Sequence, residues 1–377
     1  MNSEKKILVV AGALGSSKAL IPVIYELIDR NIKVKIIASG LAFQILNELF
    51  SDKLTETADD ISDNQALKLI SDYKPHLVIC GAGGNNKIEP IFRINAKFLN
   101  VFCFALVDNW CHPARRFFEV DASGEISNSI PDLIGLSNDS SYNEIIMNKE
   151  FDPEKIIVVG MPHVEETVKA VQLYTKREIN KLFMNYNINR PVITFIFFSA
   201  PVEREIWDEI KQLSEIGYSE VSILEHIIHA LECLCQELET SCQIIIKPHP
   251  SSSGAPFTDI LDSKDSSEYI SMQMVENAAV HELIILADGV LGMTSTSLFE
   301  AAMCKIPTFS VQIGLDLDRA DTFNNIDGIL SIYDYNSLYN ELRSIFVKRN
   351  IKTDKSIDIN SLSSSKMIVE TLITNYL

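Results

Sequence analysis

The sequence predicts an α/β protein of two doubly wound domains facing a central cleft, and three observations carry that expectation. Short, wholly apolar, β-rich runs alternate with segments of helical spacing, the pattern of parallel sheets covered on both faces. The alternation breaks into polar helical sequence after Gly160 and restarts after Pro191, so the unit occurs twice. The length of 377 residues, at roughly 150 per domain, accommodates two domains and a helical appendage.

In the first half Ile7–Val10 reads as a strand, followed by a glycine turn, Gly12–Gly15, and a helix over Leu20–Ile28. Val34–Ala38, Leu77–Cys80 and Val101–Val107 are further strands, with helices over Leu41–Phe50 and Phe92–Leu99. Pro131–Ser137 and Ile156–Val159 supply two more strands, closing a domain over residues 1–162. Residues 163–190 form a helical connection, its periodic part running from Val164 to Asn187.

The second domain, 191–350, opens with strand Val192–Ser199, helix Val221–Leu238 and strand Gln243–Lys247. A short strand, Tyr269–Ser271, and a helix, Val275–Ala287, follow. Gly289–Met293, Pro307–Val311 and Ile329–Ile332 are strands, and Ser297–Cys304 and Tyr335–Lys348 helices. Residues 351–377 hold a polar, serine-rich connector and a helix, Ser361–Tyr376, that can return to the first domain.

Composition excludes several classes. Apolar residues make up 46% and charged residues 22%, a globular balance. Thirty-three basic against 51 acidic residues give a net charge of −18, so neither a nucleic-acid backbone nor anionic lipid is an expected partner. The longest uncharged stretches, Ile36–Asn47 and Pro191–Val202, fall short of the roughly 20 apolar residues a spanning helix needs. Seven cysteines without framework spacing, and a start that reads as a strand rather than a signal peptide, predict a cytoplasmic protein with reduced thiols.

Ligands of open α/β sheets sit outside the carboxyl ends of the strands, so the loops there hold the candidates. Lys247-Pro248-His249-Pro250 follows a strand, and its two prolines fix the backbone that presents His249, as phosphate donor or acid. The bland alternative is a rigid turn. Gly292-Met293-Thr294-Ser295-Thr296-Ser297 leads into a helix, and four hydroxyls beside free N–H groups suit a phosphate better than simple capping does. Glu300, one turn on, either holds a ribose or merely complements the helix dipole.

In the first half a buried strand ends in Asp108, followed by Trp110, His112, Arg115 and Arg116. Asp108, with His112 as the fallback, is placed as a general base, against the plainer reading of an acid paired with Arg115 or Arg116. Lys87, Arg93, Lys97, Arg115 and Arg116 make this stretch locally basic and point to an anionic ligand. Gly12, Gly15 and Ser16 lack Walker A spacing, and Gly81-Ala82-Gly83-Gly84 lacks the third glycine of a dinucleotide fingerprint. Close backbone approach to a bound group is their expected use. Arg204 stands near a diphosphate or is a solvated helix-start arginine. Cys233 and Cys235 lie on different helix faces, and His226 and His229 lack partners, so no metal site is expected.

Lys247-Pro248-His249-Pro250, the hydroxyl-rich loop with Leu298-Phe299-Glu300-Ala301-Ala302, and Lys305-Ile306-Pro307 together resemble the nucleotide-binding domain of GT-B-fold enzymes. The bacterial polysaccharide enzymes with HP and serine motifs are similar: CDP-glycerol glycerophosphotransferases, sialyltransferases and Kdo transferases. UDP-N-acetylglucosamine 2-epimerase shares the two-domain plan, and Val158-Val159-Gly160-Met161-Pro162-His163 resembles the interdomain segment of this superfamily. The sequence departs from the epimerase pattern in lacking a clear counterpart of its catalytic carboxylates.

The resemblance implies two Rossmann-like domains, the second holding a nucleotide-activated donor and the first the acceptor. His249, Lys247, Gly292, Thr294–Ser297, Glu300 and Arg204 would face the donor; Gly12, Gly15, Ser16, Arg115 and Arg116 the acceptor. The expected function is a glycosyltransferase, without metal or cofactor, moving a glycosyl or polyol-phosphate group from a CMP-, CDP- or UDP-linked donor to a hydroxyl in polysaccharide biosynthesis. The alternatives are a nucleotide-sugar 2-epimerase or hydrolase, and a non-catalytic nucleotide- or glycan-binding protein. With the usual strand order, the His249 and serine loops should follow neighbouring strands and converge on one phosphate.

Overall fold

The computed structural model describes residues 5–83, 86–110, 112–120, 126–188, 192–199, 218–249, 254–264, 267–315, 326–348, 357 and 362–377. The chain divides into two compact units, Met1–Glu166 with Asn360–Leu377, and Thr167–Ile359. Among the described residues no helix is long and apolar enough to cross a membrane.

In the first unit β1 (Lys6–Ala11), α1 (Leu14–Asp29), β2 (Lys33–Ala38), α2 (Gly40–Phe50), β3 (Leu54–Glu56), α3 (Asp63–Tyr73), β4 (Leu77–Gly81), α4 (Ile88–Phe98) and β5 (Phe102–Leu106) alternate strictly. A 3₁₀ turn, Pro113–Phe117, and an antiparallel pair, β6 (Phe118–Val120) and β7 (Ile126–Asn128), precede β8 (Leu133–Leu136), α5 (Asp139–Ile145) and β9 (Ile156–Val158). Seven parallel strands lie in the order β3-β2-β1-β4-β5-β8-β9. The order reverses between β1 and β4, which makes their carboxyl ends the switch point where this topology opens a crevice.

Period-two alternation sends Ile7 and Val9 into one core with Leu20, Val23 and Leu27 of α1. Leu8 and Val10 enter the opposite core with Phe92 and Ala96 of α4. Helix α1 starts at Leu14 rather than Leu20, and Ser16 Oγ accepts from Ala13 N at 3.3 Å, occupying one of the N–H groups that a helix start leaves open. β3 and α3 were not expected from periodicity, although Ser62 and Gln65 form a capping box that opens α3.

Helix α6 (Pro162–Leu173) carries the chain from the first unit into the second, and α7 (Lys176–Asn185) follows. The expected single helical stretch is split by a capping box in which Thr175 N donates to Glu178 Oε2 at 2.8 Å. Then come β10 (Ile193–Phe198), α8 (Glu220–Glu237), β11 (Cys242–Lys247), α9 (Ala255–Lys264), β12 (Ile270–Met274) and α10 (Val280–Leu286). β13 (Gly289–Gly292), α11 (Thr296–Met303), β14 (Thr308–Val311), β15 (Ile329–Ile332) and α12 (Tyr335–Lys348) complete the second unit. Its six parallel strands run β12-β11-β10-β13-β14-β15, with the switch point between β10 and β13. The predicted fold class, two doubly wound α/β domains, is thus what the structure shows.

The predicted connector after residue 350 lies, except for Ile357, outside the described residues up to residue 361. The last helix, α13 (Ser364–Tyr376), belongs to the first unit, where Ile368, Val369 and Leu372 are buried in the core formed with α1. Tyr376 stacks on Phe102 at 3.9 Å between ring centroids, and Arg30, just past the end of α1, donates to Glu370 at 3.0 Å. Ser364 N donates to Glu165 Oε2 at 2.8 Å, tying the start of α13 to the first turn of α6.

Candidate functional site

Each unit places candidate residues at its own switch point. In the first, the loops after β1 and β4 meet on one buried carboxylate that the sequence reading missed. Glu89, in the first turn of α4, is fully buried. Its Oε1 accepts from Gly12 N at 2.8 Å and Ser16 Oγ at 2.5 Å. Its Oε2 accepts from Gly83 N at 2.8 Å and Asn86 Nδ2 at 3.0 Å. Asn86 Oδ1 in turn accepts from Glu89 N at 3.1 Å. The Asn-x-x-Glu spacing was a legible capping signal; that the carboxylate would also gather two glycine loops was not.

Gly12 and Ser16, expected to face a ligand, are therefore engaged by Glu89, and Ser16 is fully buried. Gly15 is explained by its neighbour: a Cβ there would lie 2.1 Å from Oδ2 of Asp108. Asp108 thus stands over the first turn of α1, where the helix dipole favours negative charge. His112 takes a left-handed backbone, φ 47°, and its Nδ1 lies 3.5 Å from Glu144 Oε1 on α5. Arg115 is exposed, and Arg116 Nη2 donates to Asn109 Oδ1 at 3.3 Å.

The local excess of basic residues is not all presented to a ligand. Arg93 is buried, and its donors go to Ser129 O at 3.0 Å, Gly81 O at 2.9 Å, Arg116 O at 3.0 Å and Ser129 Oγ at 2.9 Å. Its guanidinium also lies 5.2 Å from the Phe117 ring centroid. It binds loops together rather than offering a charge.

Past the carboxyl end of β9, His163 follows the turn at Gly160, whose φ is +82°. Its Nδ1 is buried and has no hydrogen-bond partner among the described residues. Burial first, and then Lys18 of α1, hold its pKa down to about 4, from an ordinary 6.5. The folded chain therefore favours neutral imidazole, and stability falls as pH drops from about 6.5 towards 4, where the unfolded chain binds the extra proton. His163→Gln is expected to flatten that part of the profile, measured as urea midpoint against pH.

In the second unit the carboxyl ends of β10, β11 and β13 bring together Ser199, His249 and the hydroxyl loop. Phe198 is level with Lys247 on one side and Gly292 on the other. The His249 and serine loops therefore do not follow neighbouring strands: β10 lies between them, which sets them about 10 Å apart at the strand ends. A Cβ at Gly292 would lie 2.6 Å from the Phe198 carbonyl oxygen, so only glycine allows β13 to approach here.

His249 N donates to Ser199 Oγ at 2.9 Å, and Ser199 also hydrogen-bonds the side chain of Glu220 at the start of α8. Burial raises the Glu220 pKa against that hydrogen bond, and its Oε1 is buried without a partner among the described residues. Neither Ser199 nor Glu220 carried a sequence signal beyond a strand end and a helix start. Lys247 Nζ donates to Glu276 O at 2.5 Å.

Ser295 caps α11, accepting from Ser297 N at 3.3 Å. Thr294 is exposed, while Thr296 and Ser297 are half-buried in the first turn. One of the four hydroxyls thus accounts for the cap. Glu300 is buried and its Oε2 accepts from Thr167 Oγ1 at 2.5 Å, a protein partner on the side where a ribose was expected. Arg204 and Pro250 lie outside the described residues.

No protein-family model matches the chain, and no curated protein sequence does. Solved structures do. The UDP-GlcNAc 2-epimerase of Methanocaldococcus jannaschii is 16% identical with a TM-score of 0.68, over 98% of this chain and 100% of that one. The Neisseria meningitidis UDP-GlcNAc 2-epimerase, bound to UDP-GlcNAc, is 14% identical with a TM-score of 0.65, over 98% and 100%. A glycosyltransferase from Rickettsia africae is 13% identical with a TM-score of 0.60, over 99% and 94%. Such identities speak for fold alone: the chain shares the two-domain, GT-B-like fold of these structures.

Proposed function

We propose that this chain is an enzyme acting on a nucleotide-activated sugar, the nucleotide held by the second unit. The observation that carries the reading is the hydroxyl-rich start of α11 at the switch point, with Ser295 alone spent on capping. Helix-start N–H groups and hydroxyls are suited to phosphate oxygens, and His249 stands across β10 where a second phosphate or a sugar oxygen can be reached. Within this class 2-epimerisation of a UDP-sugar is favoured by the run of UDP-GlcNAc 2-epimerases among the similar structures. Glycosyl transfer is the second reading, supported by the similar Rickettsia africae structure and by the missing counterpart of the epimerase carboxylates. In either reaction Asp108 is the proton-moving group of the first unit.

The two are separable by where bonds break. Epimerisation at C2 must cleave the C2–H bond, so turnover of UDP-N-acetylglucosamine in D₂O should place deuterium at C2 with UDP still attached. Transfer or hydrolysis releases free nucleotide. Binding without either would leave a binding protein. The phosphate site has its own test: Ser295→Ala with Ser297→Ala should weaken UDP by roughly tenfold while leaving uridine unchanged, read by calorimetry. Equal losses for UDP and uridine would remove the loop from the phosphate site.

A further inference from the structure

The carboxyl end of β14 carries polar side chains where a sheet covered on both faces calls for apolar ones. Period two sends Phe309 and Val311 into the core with α8 and Ser310 to the other face, level with Gly292 of β13. Ser310 and, just past the strand, Gln312 are buried all the same. Both turn their donors on one carbonyl. Ser310 Oγ donates to Met293 O at 2.8 Å, and Gln312 Nε2 donates to the same oxygen at 3.0 Å. The other Nε2 hydrogen goes to Ser310 Oγ at 2.7 Å. Tyr218, buried just ahead of α8, donates its hydroxyl to Gln312 Oε1, which fixes the way the amide is turned.

Stability alone does not call for this network, since apolar side chains of the same volume would fill the space about as well. What it fixes is one peptide plane. Met293 stands between β13 and the hydroxyl-rich start of α11. A trans peptide sets its N–H opposite its C=O. With Met293 O held inward by two side chains, the Thr294 N–H is turned outward, and Thr294 is exposed.

We propose that Gln312 is a positioning residue for the nucleotide: it holds the Met293–Thr294 peptide so that the Thr294 N–H, with the hydroxyls that follow it, meets the phosphate. Without that hold the peptide can turn over, which sets a carbonyl oxygen against the phosphate in place of an N–H. The role rests on the reading of the second unit as the one that holds the nucleotide; the hold on Met293 O does not.

Gln312→Met keeps the length of the side chain and removes both amide functions. In the whole chain it should weaken UDP by roughly tenfold, read by calorimetry, and leave uridine unchanged. Added to Ser295→Ala with Ser297→Ala, it should deepen their loss very little, because all three act on one contact. A side chain that merely packs gives additive losses or none. Should Gln312→Met fail to fold, Tyr218→Phe keeps the ring and frees the amide to turn, and should weaken UDP about threefold with uridine again unchanged. Unchanged UDP affinity, equal losses for UDP and uridine, or additivity with the serine pair would overturn the assignment. The two readings fail differently. A chain that binds no UDP ends the nucleotide reading and this role with it, whereas one that binds UDP equally well before and after Gln312→Met ends this role alone.

Discussion

Asp108→Asn is expected to lower turnover of the nucleotide-sugar by roughly 10²–10⁴-fold, with nucleotide affinity nearly unchanged. Asp108 stands just past β5, and its carboxylate reaches the first turn of α1, so close that a side chain at residue 15 is excluded. Asparagine keeps the shape and the contact with Gly15 but cannot take a proton. A purely structural acid would give the opposite division, with lost stability and little change in the rate of the molecules that remain folded. Turnover by NMR and UDP affinity by calorimetry, measured on one preparation, separate the two. Full activity in Asp108→Asn would move the proton-transfer role elsewhere, with His112 next to be replaced.

The largest expected effect on stability is at Glu89. Truncation to alanine leaves the backbone N–H groups of Gly12 and Gly83 without an acceptor, whereas Ser16 Oγ and Asn86 Nδ2 keep Ala13 O and Gly83 O. Each buried donor left unsatisfied costs about 1–3 kcal/mol, and water entering the space recovers part of that. A net loss on the order of 3–5 kcal/mol is expected, enough to unfold the first unit under mild denaturant. Glu89→Gln keeps the volume and one acceptor but turns an amide NH₂ towards donors, so an intermediate loss is expected. Hydrogen exchange should show the loss concentrated in the first unit, around the ends of β1 and β4. A uniform or negligible change would mean that Glu89 is not what fixes these loops.

The parallel sheets were legible because their strands are buried on both faces and therefore almost wholly apolar, as in Ile7–Val10 and Phe195–Phe198. Helix ends were less legible, since they depend on local hydroxyl and carboxyl hydrogen bonds that hydrophobic spacing does not encode. Ser16 takes up the N–H of Ala13 at the start of α1, ahead of the apolar spacing, and Thr175 with Glu178 splits one predicted helix into two. At the candidate site, Asp108 and the hydroxyl loop stood out because their strands end where ligands bind. Glu89 was hidden by an ordinary helix-start context, and Arg93 was misread because charge counting cannot tell a solvated guanidinium from one that binds four oxygens. The relation between the His249 and serine loops failed for a different reason: strand order is a long-range pairing, and nothing local says which strand lies between two others.

The return of α13 to the first unit has a consequence for how the chain is made. Ile368, Val369 and Leu372 complete a core whose other members precede residue 160, so that core cannot close during synthesis of its own domain. The whole second unit must first leave the ribosome, about 200 residues at roughly 5–20 per second, an interval of the order of 10–40 s. During that interval the apolar stripe of α1 that α13 will cover stays open to chaperones and to other nascent chains. The second unit, contiguous in sequence, has no such wait, and it can finish folding while the first is still incomplete.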